Sequence, residues 1–327
     1  MPRIFITGST DGLGRAAAGA LMGKGHDVVL HARTRERAAA LSDLAPDAAG
    51  VVTGDLSSAA QTRELAGQVN QIGRMDAVIH NAGVYLEPSR AATAEGHAKT
   101  LAVNTLAPYL LTALIDRPDR LIYLSSGLHR AGAGSLRDID WTGRSWNAAQ
   151  AYSESKLHVT ALALTLARVW PEVLSNAVDP GWVPTKMGGP YATGDLEMGY
   201  LTQTWLAVSN DAAATVSGGY WYHRQRQAPA PQARDPAFQE KLMDRLAALT
   251  GVALFLASRL RLQRDGGQRP SFGRPHPRLT PARCRTSLTS AVGPATPRSP
   301  QRPGMRSGGS RTPGQSSRMT PPFRGRT

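Results

Sequence analysis

Short apolar runs and longer amphipathic runs alternate along the chain from the N-terminus to about Phe255. Arg3 to Thr7, Asp27 to Ala32, Val51-Val52-Thr53, Met75 to His80, Arg120 to Ser125 and Leu174 to Asp179 are rich in Val, Ile and Leu and end at turn-forming residues, which predicts buried strands. Between them, Arg15 to Met22, a run from Ser57 or Ser58 to about Ile72, Ala94 to Ile115 and Ala148 to Val169 carry helical periodicity. Pro108 lies inside the third of these and predicts a kink there. Gly219-Tyr220-Trp221-Tyr222 adds a seventh strand, and Asp235 to Leu249 a last helix with Asp235 as cap and Pro236 at its first position. Strands alternating with helices predict one α/β domain, a doubly wound parallel sheet of about seven strands with helices on both faces. Leu128 to Asn147 is polar and glycine-rich and reads as a loop or insertion. Met187 to Ser209 is irregular and reads either as a lid over a ligand or as a surface helix.

The alternation stops after residue 254. Residues 255–327 are dominated by Arg, Pro, Ser, Gly and Thr without apolar periodicity, which predicts a disordered tail behind a domain spanning 1–254. The formal charge of +14 invites a nucleic-acid reading, but its distribution does not support one. Gly251 to Thr327 holds 15 arginines, no lysine and one acid, whereas residues 1–250 hold 23 basic and 23 acidic groups. The domain is therefore balanced and carries no specific nucleic-acid signal. The tail is expected to be dispensable, as an out-of-frame extension would be; its alternative is non-specific contact with polyanions. A single cysteine, Cys284, excludes an intrachain disulfide and fits a reducing cytoplasm. Met1-Pro2-Arg3 leads straight into Ile4-Phe5-Ile6 and leaves no room for a signal peptide. No apolar run approaches the ~20 residues a membrane span needs, so no membrane partner is expected.

Candidate chemistry gathers where predicted strands end. The first strand runs into Gly8-Ser9-Thr10-Asp11-Gly12-Leu13-Gly14 and then a helix, a Rossmann-type turn in which glycines let a pyrophosphate approach the helix N-terminus. The second strand ends at Arg33, with Arg35 and Arg37 beyond it; a guanidinium there suits the 2′-phosphate of NADP, where NAD would call for an acid. Asp55 could bond an adenine edge, and Asn81-Ala82-Gly83 could lie against a cofactor or form a structural turn. Asn104, among apolar neighbours, is either a satisfied core amide or the holder of a water. Ser125-Ser126-Gly127 closes the fifth strand, and Pro180-Gly181-Trp182-Val183-Pro184-Thr185 is a rigid turn with a hydroxyl at its end. Tyr152 and Lys156, four apart on one helix, share a face. The lysine's charge is expected to pull the phenol down from its ordinary value of about 10 towards neutrality.

These motifs, in this order over residues 3 to about 252, resemble the short-chain dehydrogenases/reductases. Thr7-Gly8-x-x-x-Gly12-x-Gly14 resembles that family's cofactor turn, Asn81-Ala82-Gly83 its fourth-strand motif, and Asn104, Ser126, Tyr152 and Lys156 its catalytic tetrad. Asn104 to Thr112, Ser125-Ser126-x-x-His129 and Tyr152-Ser-x-Ser-Lys-Leu157 are similar to the retinol dehydrogenase-like and protochlorophyllide reductase-like branch. His80 departs from the asparagine the family often has there. The resemblance implies hydride exchange between a nicotinamide and a carbonyl or alcohol on a small molecule. Tyr152 would act as acid or base, Lys156 would tune it and bond the ribose, Ser126 would orient the substrate oxygen, and Asn104 would hold a relay water. Cofactor contacts are implied for Gly8, Thr10, Asp11, Gly12, Leu13, Gly14, Arg33, Asp55, Leu56, Asn81, Ala82, Gly83, Tyr152, Lys156, Pro180, Gly181, Val183 and Thr185, with NADP(H) preferred, NAD(H) as the second option and no metal. The resemblance implies that helices 94–115 and 148–169 could pair copies into a homodimer or homotetramer, though the apolar surplus on them could equally be ordinary core. An epimerase or dehydratase of the related extended group is the competing enzyme, though the Gly8–Gly12 spacing speaks against it. A cofactor-sensing regulator is the competing non-enzyme, though this chain keeps both Tyr152 and Lys156.

Overall fold

A computed structural model describes residues 1–254 of the chain; the expectations for 255–327 (disorder, dispensability, polyanion contact) lie outside the described residues. Among the described residues eight strands form one sheet: β1 (Arg3–Ile6), β2 (Asp27–Ala32), β3 (Gly50–Thr53), β4 (Ala77–His80), β5 (Arg120–Leu124), β6 (Leu174–Asp179), β7 (Tyr220–Tyr222) and β8 (Gln225–Gln227). Their order is β3-β2-β1-β4-β5-β6-β7-β8, parallel as far as β7, with β8 antiparallel. The order reverses between β1 and β4, and at such a switch point the strand ends open a crevice.

The strands read as continuous apolar runs because both faces of the sheet are covered. Phe5, Val29, Val78, Leu121 and Ala177 point to one face, packed by α2 (Ala59–Ile72), α3 (Ala107–Leu114), α4 (Ala148–Val169) and α6 (Pro236–Thr250). Ile4, Ile6, Val28, Leu30, Ile122 and Val178 point to the other, packed by α1 (Gly12–Met22) and α5 (Leu196–Val208). Ser58, Asn147, Asp195 and Asp235 cap α2, α4, α5 and α6 with their side chains. Among the described residues no helix is long and apolar enough to cross a membrane.

Three expectations need correcting. The sheet has an eighth strand, reached by a two-residue hairpin in which His223 and Arg224 take φ of 48° and 62°. Such a turn normally announces itself by Asn or Gly. Here the Thr202 hydroxyl holds it, accepting from the Arg224 N–H at 2.9 Å. The 94–115 run is helical only from Lys99, because Gly96 at φ 84° closes a turn and Ala92 bridges Ala98. Within it, Pro108 produces a register change instead of a simple kink: having no N–H, it cannot bond the carbonyl of Asn104, and Ala102–Leu106 winds as a π turn ahead of α3. Finally, residues 187–209 are a loop followed by α5, whose Thr202–Ala207 stretch is buried in the layer over β4 and β5; neither a lid nor a surface helix describes that half.

Of the two readings of the apolar surplus on residues 94–115 and 148–169, the core one holds for the side chains that follow. Tyr109, Leu110 and Leu111 are buried, Tyr109 Oη donates to the Val252 carbonyl at 2.8 Å, and most of α4 is covered.

His80 ends β4 fully buried, stacked on Tyr123 with ring centroids 4.6 Å apart. The Thr112 hydroxyl donates to the Pro108 carbonyl, so it accepts from the His80 Nε2–H (3.2 Å) and from Tyr123 Oη (2.6 Å). Burial pushes the imidazole down from 6.5 to about 3. An unfolded chain takes up this proton below 6.5 and the folded chain does not, so stability falls as pH drops from 6.5 towards about 3. In His80→Asn that fall should be shallower by about 1.4 kcal/mol per pH unit over the window. Urea midpoints measured across the range check it, and an unchanged slope would contradict the buried neutral imidazole.

Candidate active site

The crevice at the switch point is built from three loops tied by hydrogen bonds. Thr7 Oγ1 accepts from the N–H groups of Asn81 and Ala82, both at 3.0 Å, and Asn81 Nδ2 donates back to the Thr7 carbonyl at 2.9 Å. Asn81 thus fastens the exit of β4 to the glycine turn. Gly8 sits at φ 71°, a left-handed conformation costly for other residues, and its N–H donates to His31 Nδ1 at 2.9 Å. The other nitrogen of His31 then donates to the Gly54 carbonyl at 2.8 Å. Burial lowers the His31 pKa and keeps the ring neutral, as this bonding requires. His31 therefore pins the glycine turn from β2, a role that no turn or strand signal in the sequence marks.

Gly14 is a packing glycine. A methyl there would lie 2.3 Å from the Gly8 carbonyl oxygen and 2.4 Å from Asn81 Nδ2. Gly19, one turn later on α1, has nothing within 4 Å.

Two adjoining chambers open along the strand ends. One, of about 310 Å³, is lined by Gly8, Thr10, Asp11, Gly12, Leu13, Asn81, Ala82, Gly83, Tyr152, Lys156, Pro180 and Thr185. The other, of about 420 Å³, is lined by Tyr85, Ser126, Leu128, Tyr152, Asp179, Gly181, Trp182, Val183 and Met187. Leu13, Ser125, Tyr152, Pro180, Thr185 and Met187 border both.

Tyr152 is 7% exposed, with the ring of Tyr85 edge-on at 4.5 Å between centroids. Lys156, one turn along α4, is buried; its Nζ donates to the Leu124 carbonyl at 2.7 Å and lies 5.4 Å from the centre of the Tyr152 ring. Burial brings its pKa down to about 8, with the charge of Asp179 acting in the opposite sense. The expected lowering of the phenol is not found. Burial pushes Tyr152 well above its ordinary value, and a hydrogen bond with Ser126 offsets only part of the rise.

The side chain of Asn104 is a satisfied core amide. Its Oδ1 accepts from Val84 N at 2.8 Å, and its Nδ2 donates to the Val84 carbonyl and to Ser155 Oγ, both at 3.0 Å. It clamps the β4 exit to α4. Its main-chain carbonyl cannot take the ordinary helical bond from four residues on, because Pro108 has no N–H.

The remaining candidates divide. Gly181 and Val183 face the second chamber, not the first. Asp11 borders the first chamber and pairs with Arg37 at 3.3 Å and with Lys186, which holds its carboxyl below the ordinary value. Arg33 is exposed at the end of β2, outside the lining, and among the described residues makes no ion pair. Asp55 also lies outside it and accepts from the N–H and hydroxyl of Ser57 at 2.9 and 2.8 Å, a turn that leads into α2. Leu56 borders a separate small cavity beside Thr62 and Leu110. Sequence reasoning missed Tyr85, Asp179 and the structural part of His129. That last ring bonds the Ser126 carbonyl through Nδ1 at 2.7 Å and accepts from Ala230 N at 2.9 Å, fixing the serine loop.

A family model described as Enoyl-(Acyl carrier protein) reductase matches residues 8–209. The chain belongs to the short-chain dehydrogenase/reductase family. This short-chain dehydrogenase/reductase is similar to the short-chain dehydrogenase chyC of Penicillium rubens, 41% identical over 258 residues, which cover 78% of this chain and 99% of that protein. Human retinol dehydrogenase 13 is 30% identical over 281 residues, covering 76% of this chain and 84% of its own. Among solved structures, a metagenomic blue fluorescent protein in complex with NADPH has the same fold, with a TM-score of 0.55 at 22% identity over 68% of this chain and 95% of that one. The chain is thus an oxidoreductase of a family that binds NAD(P)(H) and acts on small molecules. The cradle fits such a cofactor, since Gly8, Gly12 and Gly83 line the first chamber without side chains to fill it.

Gly14→Ala should lower stability by about 1–3 kcal/mol through overpacking and weaken NADPH binding. Gly19→Ala should instead raise stability by about 0.5–1 kcal/mol through helix propensity. Denaturation midpoints and an NADPH fluorescence titration check the pair. Equal effects of the two changes would contradict the packing role of Gly14.

Proposed function

We propose that this protein is an NADP(H)-dependent oxidoreductase that interconverts a carbonyl and an alcohol on a small lipophilic molecule, with Tyr152 moving the proton at the substrate oxygen. One observation carries this reading: the buried Tyr152 side chain borders both chambers, so a group bound in either one meets the same phenol. Gly8 to Leu13 would hold a pyrophosphate against the start of α1, Lys156 the nicotinamide ribose, and Arg33 the 2′-phosphate. When bound, the nicotinamide supplies or accepts the hydride. In the reductive direction Tyr152 Oη gives its proton to the carbonyl oxygen as charge develops there, and the Ser126 hydroxyl donates to the same oxygen. Lys156 favours the phenolate that results. A water on the Asn104 carbonyl is the route by which the phenol regains its proton. The apolar lining of the second chamber supports a lipophilic substrate, in keeping with the retinol in the name of the human relative. The single cysteine remains in keeping with a reducing cytoplasm.

Tyr152→Phe should lower kcat for NADPH-dependent reduction of a ketone and aldehyde panel by about 10²–10⁴-fold while NADPH still binds. Turnover equal to wild type would remove Tyr152 from the proton step. Arg33→Ala should raise the KM for NADPH about tenfold and leave that for NADH nearly unchanged, as loss of a charge-assisted phosphate contact requires. Initial rates with the two cofactors decide this, and equal effects would refute the 2′-phosphate role.

A further inference from the structure

The second chamber contains a carboxylate that neither gives nor takes the proton in the proposed reaction. Asp179 ends β6 and borders the chamber beside Leu128, Trp182, Val183 and Met187. Its Oδ1 accepts from Gly181 N and its Oδ2 from Tyr220 Oη, both at 3.0 Å. A carboxylate offers about four lone-pair sites, so two bonds leave capacity on each oxygen. Among the described residues Asp179 takes part in no ion pair. The turn at Pro180-Gly181 accounts for the Oδ1 bond, which a neutral Asn would make equally well. It does not account for a carboxylate facing an apolar chamber: the charge of Lys156 acts on it from the neighbouring chamber without a direct ion pair, which leaves its chamber side open to a second cation.

The mouth of the chamber supplies the second half of the argument. Leu128, Trp182 and Met187 are 42%, 56% and 43% exposed, and these large apolar side chains form its rim. A ligand with an apolar body would cover them.

We propose that the chamber selects carbonyl or alcohol substrates carrying a protonated amine, which Asp179 binds while the apolar body lies against Leu128, Trp182 and Met187. The proposal rests on the oxidoreductase reading for the placement of the reacting oxygen at Tyr152. Asp179 acts here as a specificity-determining residue and takes no part in the proton transfer.

The test is calorimetric titration of the full chain, saturated with NADPH, with N-benzylpiperidone and with benzylcyclohexanone. The two ketones share a shape and differ in the ring nitrogen, which is protonated below its own pKa. Wild type should bind the amine at least about tenfold tighter, Asp179→Asn should bind the two equally, and Tyr220→Phe, which keeps the carboxylate, should retain the preference. Equal binding of the two ketones by wild type, or a preference that survives Asp179→Asn, would overturn the proposal. NADPH oxidation is read separately: a wild type that binds the amine tenfold tighter yet reduces neither ketone supports Asp179 and counts against the oxidoreductase reading.

Discussion

The ammonium of Lys156 is buried at the carboxyl edge of the sheet, and much of the site follows from holding it there. Taking such a charge out of water costs several kcal/mol unless polar partners replace the water. The carbonyl of Leu124, at the end of β5, is the direct partner, and the charge of Asp179 at the end of β6 adds to it. Both are strand ends, so the lysine is fixed only while α4 lies in one register over the sheet. Asn104 sets that register by joining Val84 to Ser155, one residue before Lys156. A structural amide and a tuning charge are in this way parts of one constraint, and Tyr152, a turn away on the same face, is carried into the wall between the two chambers.

That placement has an electrostatic consequence. Burial by itself holds Tyr152 as a neutral phenol, and Lys156 lies over the ring without reversing it. In the proposed mechanism this protonated form is the one the reductive direction needs, and the oxidative direction needs the phenolate, which the positive charge of an oxidised nicotinamide would favour. In this account the charge of the bound cofactor sets which protonation state of Tyr152 is favoured.

The architecture was legible because both faces of the sheet are covered, which makes β1 to β6 apolar runs between helices of clear period. The candidate site was legible where chemistry and turn type coincide, as at Gly8, Ser126, Tyr152 and Lys156. What stayed hidden depends on contacts made far along the chain. Nothing around His31 announces that its ring will accept from Gly8 and bond Gly54. The β7–β8 hairpin uses His223 and Arg224 at positive φ, where pattern reading looks for Asn or Gly. Pro108 signals a break in the helix, but a missing N–H is compatible with a kink or with a π turn, and the residue alone does not choose between them. Asp179 read as the last residue of a strand, and its importance arises from the apolar chamber that faces it.

The phenol of Tyr152 is the most direct place to test this. Ultraviolet difference titration of wild type against Tyr152→Phe isolates its ionisation. Without cofactor the phenol should remain protonated beyond the ordinary value of about 10, and with NADP⁺ bound it should ionise at least about two pH units lower. A phenol with an ordinary titration in the free protein, or one that NADP⁺ leaves unmoved, would contradict the account.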